Sequence, residues 1–160
     1  MLGLTPFGML HTAISLIAVV AGIVSLVGSG KITPRNRSGQ IYVLMTILTC
    51  LTGFFIFHHG GFGKPHVLGI ITLVVLGIAL VAGYTGLFGR ASRYVETVAY
   101  SATFFFHWIP AVTETATRLP VGAPLAANAD APGLQIASAI LFVLFLIGAT
   151  WQVLRLRARR

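Results

Sequence analysis

Apolar residues run almost unbroken along five stretches of the chain, at about 7–28, 41–57, 66–88, 96–115 and 134–154, with links rich in glycine, proline or charge between them. Roughly 20 consecutive apolar residues cross a bilayer as a helix, so each stretch reads as a transmembrane helix. The fourth, ETVAYSATFFFHWIPAVTETA, is the most polar. It holds Glu96, His107, Pro110 and Glu114, a composition suited to a helix facing other protein or a cavity rather than lipid. The expected fold is all-α: one integral membrane domain over residues 1–160, a polytopic transmembrane helical bundle of five spans, or four if the 96–115 run is not a span. Thr5 followed by Pro6 suits an N-cap and first helical position, which starts the first helix near residue 6. Residues 117–133, with three prolines and two glycines, should form an irregular segment over one face. No internal repeat of transporter type is visible in the sequence.

Composition agrees with this pattern: 56% of residues are hydrophobic, 9% are charged, and mean hydropathy is +0.91. The net charge of +8 would suggest nucleic acid in a soluble protein, but here the basic residues sit in short links where they set topology, and a nucleic-acid partner is not expected. Lys31, Arg35 and Arg37 lie in the first link, Arg90 and Arg93 in the third, and Arg155, Arg157, Arg159 and Arg160 at the C-terminus. With five spans these all fall on one side, leaving Lys64 and Arg118 on the other. The expectation is a bacterial inner-membrane protein with its N-terminus outside and its C-terminus cytoplasmic. The N-terminal run lacks a basic leader and is too long for a typical signal core, so it reads as a retained span. Cys50 is the sole cysteine, so no intrachain disulfide forms.

On this topology the five histidines gather in the outer half. His58, His59 and His66 lie in or beside the second link, His11 sits about 9 Å into the first span at about 1.5 Å per residue, and His107 lies in the outer half of the fourth. Ionisable residues inside spans are rare and point to function, so His11 and His107 are the candidate cofactor ligands. His58, His59, His66 and Glu114 are weaker metal candidates, with interfacial polarity as the alternative for the three link histidines. Glu114 follows His107 by two turns on the same face and stands four residues before Arg118, so an ion pair with Arg118 is its plainer role. Pro110 is expected to bend the span and turn His107 inward. Phe104, Phe105, Phe106 and Trp108 could line a porphyrin or quinone pocket, although packing is the commoner use of such residues, as close helix approach is for Gly69, Gly77, Gly83 and Gly86.

The stretch LHTAISLIAVVAGIVSLV, a basic link, RNRSGQIYVLMTILTCLTGFFIF with Arg37, Gly39 and Tyr42 in order, and a glycine-rich link together resemble the bacterial membrane proteins grouped as domain of unknown function (DUF) 2306. The likeness covers roughly residues 8–90. It implies a small helical bundle and carries no established activity. This chain has Asn36 where the family often has a histidine before the arginine.

Three readings follow. The first is a small protein binding b-type haem or a transition metal for electron transfer, with quinone or a membrane protein as partner. The second is a proton-linked small-molecule carrier using Glu114 and His107. The third is an accessory or scaffold subunit without chemistry of its own. The lipid bilayer is the common partner, and no nucleophile–base set or metal-protease motif is present.

Overall fold

The computed structural model describes residues 5–56 and 61–158. His58 and His59 lie outside them. The described chain forms five α-helices: α1 (Pro6–Ser29), α2 (Arg37–Gly53), α3 (Lys64–Thr85), α4 (Ser92–Arg118) and α5 (Pro132–Ala158), with one 3-10 turn at Gly89–Ala91 before α4. Each helix start and stop has a local cause. Thr5 caps α1 by accepting the Gly8 N–H at 3.0 Å, with Pro6 in the first turn, and Gly30 ends it at φ 71°, donating its N–H to Leu26. α2 begins four residues before the apolar run because Asn36 caps it, its Oδ1 accepting the Gly39 N–H at 2.7 Å. Gly39 is required there, since a Cβ would run into the Thr33 carbonyl.

α1 packs on α2, α2 on α3, α3 on α4 and α4 back on α1, while α5 lies outside this ring against α4. Among the described residues no Cα of α2 comes within 8 Å of one in α4, nor any of α1 within that distance of α3. These pairs are therefore the two diagonals of a four-helix ring. The helices alternate in direction. Residues 25–36, Gly83, Glu96 and Gln152 meet at one end, which we call the basic end because it gathers Lys31, Arg35 and Arg155; His11, Thr52, Lys64 and Asp130 lie at the other, the histidine end.

Three helices, α1, α3 and α5, are long and apolar enough to cross a membrane, and they are compatible with a membrane location. Their outer faces expose Val20, Val24 and Val27, Val74 and Ile78, and Leu144 and Ile147. The interior is built instead from small and polar residues, among them Ala18, Thr46, Ala79, Ala99, Thr97 and Thr103. Small residues let helices approach closely where water exclusion does not drive association. Gly22 faces the rings of Phe104 and Tyr42, Gly69 faces Phe54 and Gly83 faces the Glu96 carboxylate, whereas Gly77 faces no neighbour and Gly86 serves as the αL cap of α3. Phe105 packs on Phe142 and Phe145 at centroid distances of 5.8 and 5.5 Å, joining α5 to α4.

Candidate functional site

Glu96, Tyr100, Thr103 and His107 succeed one another along α4 at helical spacing, so all four share one face, and all four are buried. On α2 the buried face is Gly39, Tyr42, Thr46 and Cys50. These faces point at each other across the diagonal of the ring, where the gap is too wide for backbone contact and is closed by side chains. Tyr42 Oη lies 2.8 Å from Thr103 Oγ1, and Thr46 Oγ1 lies 3.0 Å from His107 Nε2. At the basic end Arg35, just before α2, donates to Glu96 at 2.5 Å. Each of the three pairs is separated by 61 residues, so α2 and α4 run parallel in one register.

The hydroxyl protons can be placed by elimination, because each hydroxyl has one to give. Thr103 donates to the Tyr100 carbonyl at 2.9 Å, so Tyr42 is the donor to Thr103. One turn on, Thr46 Oγ1 and His107 Nε2 share a hydrogen bond whose direction follows the histidine tautomer. The result is two side-chain bridges one turn apart on the diagonal, His107 with Thr46 and Tyr42 to Thr103, the second ending on the Tyr100 carbonyl. Tyr42 packs edge-on to the His107 ring at 6.0 Å. His11 enters from α1 further towards the histidine end. Thr52 gives its proton to the Leu48 carbonyl at 2.7 Å, so His11 donates through Nδ1 to Thr52 Oγ1 at 2.8 Å. The two histidines thus meet the same helix at Thr46 and Thr52, about 9 Å apart along its axis.

Glu96 closes the other end. It is 3% exposed and is held by Arg35 at 2.5 Å and Lys31 at 3.8 Å, with Arg35 also donating to the Gly83 carbonyl at 2.7 Å. Neighbouring side chains fix the helix ends around it. Asn36 donates to Ser29 Oγ at 2.9 Å, and Gln152 of α5 accepts from Ser101 at 2.7 Å and donates to the Gly30 carbonyl at 3.1 Å. An open pocket of about 480 Å³ at this end is lined by Gly89, Arg90, Ser92 and Arg93 and is separate from the histidines.

The remaining expected site residues have simpler roles. α4 continues through Pro110, and His107 points into the bundle. Glu114 is more than half exposed and pairs with Arg118 at 2.5 Å. His66 Nδ1 accepts the Gly63 N–H at 3.2 Å at the start of α3, and its ring stacks on Phe62 at 5.3 Å. Residues 119–131 are irregular, and Asp130 joins them to Lys64 at 2.6 Å. Among the described residues no three histidine, cysteine, aspartate or glutamate side chains group as metal ligands. Sequence reasoning missed Thr46, Thr52, Thr103 and Tyr100. The signal was present in the helical spacing of single hydroxyls inside apolar runs. No family model, curated protein or solved structure matches the chain.

Proposed function

We propose that this chain is a five-span bacterial inner-membrane protein, grouped with the DUF 2306 proteins it resembles, that conducts protons along its central column. α4, at about 40 Å long, has the length to cross a bilayer, and its charged residues lie near its ends or face inward. α2 is shorter but joins the same ends of the bundle as its neighbours. The basic residues collected at one end support a cytoplasmic position for that end and an outer position for the N-terminus.

The observation that carries the proton reading is the pair of side-chain bridges one turn apart on the α2–α4 diagonal, His107 with Thr46 and Tyr42 with Thr103, lying between a buried carboxylate and a second histidine. Intramembrane histidine and carboxylate linked by hydroxyls are the parts from which proton relays are built. We rank it above a b-type haem or transition metal between His11 and His107. Bis-histidine haem needs two rings facing across a slot, whereas these rings bond separate threonines on one helix. A partner such as quinone belongs with that lower-ranked reading.

The test is proton uptake into vesicles holding the purified protein and a pH-sensitive dye, driven by a potassium diffusion potential. Wild-type protein should carry protons well above protein-free vesicles, and His107→Phe or Thr46→Val should slow uptake at least about tenfold, as expected for loss of a proton-transfer partner. Uptake no faster than in empty vesicles, or full uptake by both variants, would remove the relay and leave the scaffold role.

A further inference from the structure

The Tyr42–Thr103 bridge stops short of Glu96. Its last proton is given to a backbone carbonyl, that of Tyr100, which has none to pass on. One side chain stands at the break. Tyr100 lies one turn beyond Glu96 and one turn before Thr103 on the same face of α4, and it is completely buried. Its hydroxyl has no hydrogen-bond partner among the side chains and backbone around it. Burying such a group dry costs about 1–3 kcal/mol, and tyrosine hydroxyls in protein interiors ordinarily find a partner. Along α4 Tyr100 stands between Glu96, which Arg35 holds, and Thr103, which bonds Tyr42.

We propose that the Tyr100 hydroxyl binds an internal water that joins the Glu96–Arg35–Lys31 cluster to the Tyr42–Thr103 pair. The water gives Tyr100 the partner that no protein group supplies. It also links two otherwise separate polar clusters on the α4 face that leads towards His107. Buried waters of this kind make about three hydrogen bonds to polar groups otherwise left unpaired. The polar groups that flank Tyr100 along α4 are the Glu96 carboxylate one turn before it and the Thr103–Tyr42 pair one turn after it. The part of the inference that concerns transport rests on the proton reading above; the water site does not.

Tyr100→Phe separates the possibilities, because it removes the hydroxyl and keeps the ring in the core cluster that also holds Tyr42 and Ala79. If the hydroxyl holds a water, the variant should melt about 2–4 °C lower in detergent, in line with the loss of roughly one hydrogen bond. In the vesicle assay it should carry protons at least about tenfold more slowly while Glu96, Thr46 and His107 are intact. A melting temperature equal to or above wild type would mean the hydroxyl is dry and would overturn the water site. A lower melting temperature with unchanged proton uptake would keep the water and remove it from the path. Wild-type protein that carries no protons at all would sink the proton reading, and the water site would still be judged by the melting temperatures.

Discussion

α1, α3 and α5 differ from α2 and α4 in how polar a face they bury. The first three present valine, isoleucine and leucine to their surroundings and are apolar enough to be read as membrane helices by composition. The other two form a diagonal of the ring and turn tyrosine, threonine, histidine and glutamate towards each other. Hydropathy therefore marks the helices that would meet lipid, while helical spacing of polar residues marks those that hold the interior. A helix can be a poor match to the first criterion because it is a good match to the second.

The largest effect comes from asking whether α2 and α4 cross the membrane. With five spans, a reporter active only in the cytoplasm should give full signal when fused after Arg90 and none when fused after Phe62. If only α1, α3 and α5 crossed, with the N-terminus still outside, the two signals would exchange. That exchange would place the polar diagonal outside the bilayer and end the comparison.

Next in size is Arg35→Ala, which takes the nearest cation from a buried carboxylate. Breaking a buried ion pair costs about 3–5 kcal/mol. Here the loss should fall at or below the low end of that range, because Arg35 is half exposed and Lys31 stays 3.8 Å from Glu96. Unfolding by sodium dodecyl sulfate in mixed micelles measures it. A loss under about 0.5 kcal/mol, the scale of an ordinary surface change, would show that the Glu96 cluster contributes no more than an exposed pair.

The smallest and sharpest contrast lies within α1. A Cβ on Gly22 would sit 2.8 Å from the Phe104 ring and 3.0 Å from Tyr42, while one on Gly28 would meet nothing within 4 Å. Gly22→Ala should cost about 1–3 kcal/mol by overpacking. Gly28→Ala should be neutral or stabilising by up to about 1 kcal/mol through helix propensity. Equal effects at the two positions, in the same micelle titration, would mean that the inward and outward faces of α1 are not distinct.

Much of the fold is legible in the sequence. The five apolar runs fall on the five helices, and Thr5–Pro6 marks the start of α1. The start of α2 is displaced because its cap, Asn36, lies in a polar link where no apolar period announces a helix. The inward aim of His107 follows from the cost of exposing an imidazole to lipid, but its partner does not. Thr46 is one of many threonines in apolar runs, and most of these bond their own helix, as Thr49, Thr72 and Thr97 do. Which hydroxyl crosses to another helix depends on which helices share a diagonal, a property of the packing. Glu114 shows the reverse case, since the i, i+4 spacing to Arg118 already contained its ion pair.

The shared separation of 61 residues in Arg35–Glu96, Tyr42–Thr103 and Thr46–His107 makes α2 and α4 a matched ruler. One extra residue inserted between Ser38 and Ile41 would turn the rest of α2 by about 100° relative to its cap. Tyr42 and Thr46 would then leave the diagonal together while Arg35 stayed behind. Substitutions remove the pairs one at a time, but a change of length in either helix removes them as a set. The evolutionary freedom of this protein should therefore lie in the outward-facing letters of α2 and α4 and in the lengths of its links, not in the lengths of those two helices.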